Sequence, residues 1–344
     1  MDAGVRDFAW QENGAEGESV PAAGSGSFVC GKKLDQESEV EPAASPNGGT
    51  AFCHGAAGRA LSRASYFRSA RHGGRDCGVV EGKKGAGVSA DRLTPEQLKK
   101  WPKERPLLSL TAYDYPMGRI LDEVGVDLIH VGDSLGMVVL GMPDTTGVTM
   151  ADMIRATEAV SRGRKKAMIS ADLPFESYVT LEGCVRHSKE LLQAGADAVK
   201  PEGGREIFPQ IEALEKAGIP WIGHLGMLPQ NVKKEGGYRK KGKSREEARQ
   251  ILEDAKEMEK RGACAMVLEL MAPEVAAEVT RTLSIPTIGI GAGDGTTGQI
   301  RVTHDLLGLT PWYRPGFVKG DLGFAKKIGE LVQRIKSSGF AGLG

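Results

Sequence analysis

Between Leu107 and Ile290, short apolar runs alternate with longer stretches of helical spacing. The runs are Leu107–Ala112, Asp127–Val131, Ala167–Ala171, Ala198–Lys200, Pro220–Gly223, Ala265–Leu268 and Thr287–Ile290. Continuous rather than alternating hydrophobicity reads as strands covered on both faces. Between them, Met117–Val124, Met150–Arg162, Leu181–Ala194, Ile207–Ala217, Arg245–Lys260 and Pro273–Leu283 repeat apolar residues at amphipathic-helix spacing. Gly-Val-Asp (125–127), Gly-Ala-Asp (195–197), Gly-Ile-Pro (218–220) and Gly-Ala-Cys (262–264) each close a helix and open the next strand. That is glycine at the left-handed position ending a helix. Repeated strand–helix units imply a parallel sheet under helices. Seven units, with an eighth expected around His304–Val318, fit a (βα)8 barrel (TIM barrel, α/β class) better than an open doubly wound sheet. No GxGxxG follows the first run, which disfavours a dinucleotide-binding fold.

Composition changes near residue 92. Upstream, Gly, Ala, Ser and charged residues dominate, acidic from Asp2 to Glu41 and then basic from Arg59 to Lys84. Apolar residues stand singly there (Phe8, Trp10, Phe28, Phe52), and no isoleucine precedes Ile120. Such a stretch cannot offset its ordering entropy by burial. Residues 1–92 therefore read as a disordered, low-complexity extension and 93–344 as the barrel domain. The early acidic residues fit a transit peptide poorly, and no apolar h-region marks a secretory signal. An over-early start codon is the other reading. Ordered structure is expected from Thr94-Pro95-Glu96-Gln97, with Thr as cap and Pro at the first helical position.

The 45 basic and 45 acidic side chains balance, which argues against a nucleic-acid partner. No apolar run reaches the roughly 20 residues of a membrane helix. The five cysteines are odd in number, scattered and without a CxxC pair. That usage suits a soluble, cytoplasmic protein without disulfides or structural zinc.

In such barrels, functional side chains sit at the C-terminal strand ends. Those ends read His130-Val131-Gly132-Asp133-Ser134, Ser170-Ala171-Asp172, Val199-Lys200-Pro201-Glu202, Gly223-His224-Leu225-Gly226 and Leu268-Glu269. Each has an ordinary explanation when taken alone. Asp133 or Asp172 would serve as a helix cap, Lys200 and Glu202 as an exposed turn pair, and His224 as a structural hydrogen-bonding residue. Glu269 is harder to explain so, because charge rarely ends an apolar strand without a partner. Joint occurrence on five successive strands favours a site. Asp133, Asp172 and Glu202 are hard oxygen donors of the kind that suits Mg2+. A cation there would polarise a 2-oxo acid, a nearby carboxylate would remove the adjacent proton, and Lys200 would offset the enolate charge. The residues alone reach metal-assisted carbon–carbon chemistry on a small anion, without identifying the electrophile.

At these positions the chain resembles the ketopantoate hydroxymethyltransferase (3-methyl-2-oxobutanoate hydroxymethyltransferase) family. The matching segments include HVGDSLGMVVLG (130–141), ADLPFESY (171–178), AGADAVKPEGG (194–204), GHLGMLPQ (223–230), GGY (236–238), IPTIGIGAG (285–293) and HDLLGL (304–309). They run in family order over about 94–319. The resemblance implies a (βα)8 barrel of the phosphoenolpyruvate/pyruvate superfamily, assembled as a homo-oligomer, commonly a decamer. It implies hydroxymethyl transfer from 5,10-methylenetetrahydrofolate to 3-methyl-2-oxobutanoate, giving 2-dehydropantoate on the route to pantothenate and coenzyme A. By motif, Mg2+ falls to Asp133, Asp172 and Glu202, and substrate contacts to Asp133, Ser134, Asp172, Lys200 and His224. The base falls on Glu269.

The chain departs from the family pattern at Gly141–Thr149, in the basic run from Lys233 to Arg245, at Thr297 and at Trp312-Tyr313-Arg314. The basic run reads first as a solvated loop and second as a contact for a polyglutamylated folate tail. None of these departures touches the metal or base positions. The rival readings are a carbon–carbon lyase of the same superfamily and a non-catalytic barrel. The lyases typically carry a Lys-Lys-Cys-Gly-His loop, which this chain lacks.

Overall fold

The Thr94 hydroxyl accepts from the Gln97 N–H while Gln97 Oε1 accepts from the Thr94 N–H, a reciprocal cap that starts the helix Pro95–Lys99. This is the expected start, seen in a computed structural model that describes residues 92–313 and 315–339. The expected disordered extension lies outside the described residues.

Eight strands follow: β1 (Leu107–Thr111), β2 (Leu128–Val131), β3 (Met168–Asp172), β4 (Ala198–Lys200), β5 (Gly223–Gly226), β6 (Met266–Glu269), β7 (Thr287–Ile290) and β8 (Gly298–Arg301). Their order is β4-β3-β2-β1-β8-β7-β6-β5, and every paired neighbour is parallel. The two ends of that order meet at Val199 of β4. Its N–H donates to Pro220 O (3.1 Å) and its carbonyl accepts from the Ile222 N–H (2.9 Å), which closes the (βα)8 barrel. Helices cover the wall from outside, and the glycines expected to end four of them have φ of +88° (Gly125), +109° (Gly195), +66° (Gly218) and +98° (Gly262).

Two expectations need correction. The fifth strand is Gly223–Gly226 rather than Pro220–Gly223: ahead of it, Trp221 and Ile222 make the closing bridge to β4, and the Trp221 carbonyl accepts from the Cys264 N–H (3.0 Å). The eighth strand is Gly298–Arg301, ahead of the expected His304–Val318. It escapes an apolar-run reading because Ile300 is its one buried aliphatic side chain. Glycine is required at its start, since a Cβ at Gly298 would collide with the Leu107 carbonyl on β1.

Inside the barrel, Leu107, Leu128, Met168, Ile222, Val267 and Ile288 pack together, joined by Leu98 and Trp101 from the segment ahead of β1. Full burial of Leu98 contributes about 2 kcal/mol. The stopper leaves chemistry to the opposite, C-terminal end. Asp197, of the Gly-Ala-Asp segment, belongs to the scaffold: it accepts from the Ile169 N–H (2.8 Å) and pairs with Arg164 (3.0 Å).

Candidate active site

Strand register brings the acidic residues together. Asp172 at the end of β3 stands beside Lys200 at the end of β4, and Gly226 of β5 beside Glu269 of β6. Asp172 Oδ2 accepts from the Asp133 N–H (2.9 Å) and lies 3.2 Å from His130 Nε2, whose ring is held by Ser170 Oγ at Nδ1 (2.8 Å). Asp172 Oδ1 lies 2.9 Å from Lys200 Nζ but receives no well-directed hydrogen bond. Glu202 Oε2 accepts from the Gln230 N–H (3.1 Å), while Oε1 faces His224 Nδ1 (3.3 Å) and Lys200 Nζ (3.9 Å). Lys200 Nζ is also 3.0 Å from His224 Nδ1. Asp133 Oδ2 accepts from Gln230 Nε2 (2.9 Å), so this aspartate caps no helix. Ser134 Oγ pairs with the Tyr113 hydroxyl (2.9 Å).

Burial and charge pairing compete in the electrostatics. It raises the Asp133 carboxyl well above the usual carboxylate range, and the Asp172 and Glu202 charges add to the effect. Burial pushes Asp172 the same way, but the Lys200 ammonium and His130 overcome it and hold that carboxyl below the usual range. Lys200 is likewise raised, because Asp172, Glu202 and Asp133 outweigh its desolvation. At His224, burial and Lys200 disfavour imidazolium, yet Glu202 and Glu269 leave its pKa raised. Burial also raises the Tyr178 hydroxyl.

Three carboxylates thus face one ammonium, an imbalance that a divalent cation relieves. Among the described residues, no three His, Cys, Asp or Glu side chains converge tightly enough to cage a bare ion. Mg2+ seldom requires that: it retains waters and takes one or two carboxylates together with substrate oxygens. Asp133 and the poorly bonded Oδ1 of Asp172 fit that number. Both oxygens of Glu202 already face protein partners, which suits contact through water.

These groups open into a cavity of about 470 Å3, walled in part by Met137, Val138, Ile290 and Phe317. Tyr238 and Lys240 from the GGY loop also line it. Sites of several hundred Å3 hold drug-sized ligands. All seven residues expected at the site line this cavity: Asp133, Ser134, Asp172, Lys200, Glu202, His224 and Glu269. Sequence reasoning gave no role to His130, Tyr178 or Gln230, although all three lie in the matching segments. Elsewhere in the basic run, Lys233 pairs with Asp144 (3.1 Å) and Lys241 with Glu235 (2.5 Å).

The ketopantoate hydroxymethyltransferase family profile matches residues 92–338. The chain belongs to this family. It is a hydroxymethyltransferase with a barrel fold. Curated relatives named 3-methyl-2-oxobutanoate hydroxymethyltransferase include one from Ignicoccus hospitalis, 49% identical over 72% of this chain and 95% of that protein. Another, from Syntrophus aciditrophicus, is 51% identical over 69% of this chain and 90% of its own length. Among solved structures, 2,3-dimethylmalate lyase, a PEP mutase/isocitrate lyase superfamily member, matches with TM-score 0.51 and 17% identity, over 75% of this chain and 91% of that one. Phosphoenolpyruvate phosphomutase from Streptomyces platensis subsp. rosaceus matches with TM-score 0.51 and 14% identity, over 71% and 86%. At such identities these two structures speak to the fold alone, and they share the barrel.

Proposed function

We propose that this cavity enolises 3-methyl-2-oxobutanoate and adds the one-carbon unit of 5,10-methylenetetrahydrofolate to it, giving 2-dehydropantoate and tetrahydrofolate for pantothenate synthesis. The observation that carries the reading is the acidic cluster of Asp133, Asp172 and Glu202 facing Lys200, with Glu269 at the same mouth. Asp133 and Asp172, with Glu202 through water, would hold Mg2+, which supplies Lewis-acid polarisation of the oxo acid. Glu269 takes the C3 proton. Lys200 places positive charge beside the oxygen on which enolate charge develops. His224 stands between Glu202 and Glu269 and contacts substrate, as does Ser134. The C3 carbanion then bonds to the folate methylene carbon as its two carbon–nitrogen bonds break; water supplies the new hydroxyl, and its second proton together with the one taken from C3 ends on the two folate nitrogens, giving tetrahydrofolate.

The same reading places the enzyme in the cytoplasm as a homo-oligomer whose catalytic domain is the barrel of residues 93–344. Among the described residues, no helix is long and apolar enough to cross a membrane. The helix Phe324–Ser338 buries none of its residues and exposes Phe324, Ile328 and Val332, a face suited to a second copy.

The test is hydrogen–deuterium exchange at C3 of 3-methyl-2-oxobutanoate, followed by NMR in deuterium oxide with Mg2+ and without folate. Mg2+-dependent exchange is expected, with net turnover once methylenetetrahydrofolate is added. Folded protein that binds Mg2+ and exchanges no C3 proton would overturn the reading.

A further inference from the structure

Gln230, in the short turn Pro229–Asn231 after β5, is 5% exposed and uses every polar atom of its side chain. Its Nε2 donates to Asp133 Oδ2 (2.9 Å) and to Leu173 O (2.9 Å). Its Oε1 accepts from the Tyr178 hydroxyl (2.7 Å). Its backbone N–H donates to Glu202 Oε2 (3.1 Å). The amide orientation is over-determined: reversing it would set Oε1 against two acceptors and Nε2 against a hydroxyl that already accepts the Glu202 N–H (3.3 Å). One residue thus grips two carboxylates on different strand ends and anchors itself on the turn after β3. Because it takes one oxygen of each carboxylate, Asp133 Oδ1 is left to the cavity and Glu202 Oε1 to His224 and Lys200.

We infer that Gln230 is a positioning residue that holds Asp133 and Glu202 in the arrangement with Asp172 needed for a divalent cation, with Tyr178 locking its amide. Desolvated carboxylates of like charge repel, and without a neutral donor between them Asp133 would swing toward whichever partner remained. Gln230 supplies that donor without adding positive charge to compete with the cation. The inference rests on the proposed metal role of the acidic cluster.

The test titrates full-length protein with Mn2+ alone, free ion read by electron paramagnetic resonance, in wild type, Gln230→Met and Tyr178→Phe. Methionine keeps the volume and removes every side-chain hydrogen bond. Loss of a ligand's outer partner typically weakens metal binding about 10- to 100-fold, the expected range for Gln230→Met. Tyr178→Phe removes one tether and leaves the Gln230 Nε2 donations to Asp133 and Leu173 in place, so about fivefold weakening is expected. For C3 exchange, KM for the oxo acid should rise in Gln230→Met more than kcat falls. A purely structural Gln230 would lower the melting temperature and leave the Mn2+ affinity of the folded variant at the wild-type value, which would overturn the inference. Should Gln230→Met not fold, unchanged Mn2+ affinity in Tyr178→Phe overturns it equally. Absence of Mn2+ binding in wild type would instead sink the metal reading itself, and this inference with it.

Discussion

His224 Nε2 stands 3.2 Å from Glu269 Oε2, yet the ring nitrogen makes no well-aligned hydrogen bond there. The carboxylate is therefore close to a positioned imidazole without being tied to it, and its side chain faces the cavity. A base must be free to receive a proton, and Glu269 meets that condition better than Asp172 or Glu202, which protein donors hold. Glu269→Gln is expected to slow C3 exchange by about 10^2- to 10^4-fold, the usual contribution of a positioned base. Mn2+ affinity should stay near wild type, since Glu269 stands apart from the Asp133–Asp172 pair. Exchange at the normal rate in this variant would remove Glu269 from the base role.

Lys200 is the one cation whose ammonium touches both Asp172 (2.9 Å) and Glu202 (3.9 Å) among the described residues, and it is 4% exposed. Truncating one member of a buried ion pair strands the other charge and costs about 3–5 kcal/mol. Lys200→Met should therefore lower the urea midpoint strongly, and millimolar Mg2+ should recover part of the loss by replacing the missing charge. A metal-free variant as stable as wild type would mean that the cluster does not carry its charges together.

What the sequence disclosed, and what it hid, follows from the same geometry. Strands such as Ala198–Lys200 and Thr287–Ile290 are legible because both faces are covered and their residues, Lys200 at the strand end apart, are apolar or small. Strand β8 is not, since Gln299 and Arg301 point outward between its buried positions and Gly298 is there for clearance. Ionisable residues at strand ends could be read because a barrel sends them all to one mouth. Gln230 could not: a neutral amide in a turn carries no signature until Asp133, Leu173, Tyr178 and Glu202 are seen around it. Position in the repeating unit separates Asp197, which opens a strand and serves the scaffold, from Asp172, which ends one and faces the cavity.

Cys184 and Cys264 are buried, and burial pushes their thiols up to about 11 and about 12 from an ordinary value of 9.0. The folded state thus favours the neutral thiol. Its contribution to stability is complete below pH 9 and declines as pH rises toward those raised values. At pH 8.5, iodoacetamide should leave both peptides unmodified in native protein and label both in urea. Rapid labelling of either under native conditions would show that its thiol reaches solvent. Stability measured from pH 8 to pH 11 should fall in the direction given.

The C-terminal helix bears on assembly. Phe324, Ile328 and Val332 repeat every four residues and are 38%, 51% and 40% exposed. The helix start is fixed by the Leu322 N–H on Leu306 O (2.9 Å) and the Ala325 N–H on Gly308 O (3.1 Å), and no residue of the helix is buried. On the outer face of β1, Leu108 is 45% exposed, although outward side chains of a barrel strand normally lie beneath a helix. Ile120 and Val124, in and just after the helix that follows β1, are 51% and 71% exposed. Two apolar surfaces left open on one chain match what two copies would cover in each other. Light scattering after size exclusion should therefore give a mass above that of one chain. Replacing Phe324, Ile328 and Val332 with serine should reduce it, and Leu108→Asp should do the same from the other side. A wild-type monomer at tens of micromolar would contradict self-assembly, and an unchanged oligomer in both variants would place the interface elsewhere.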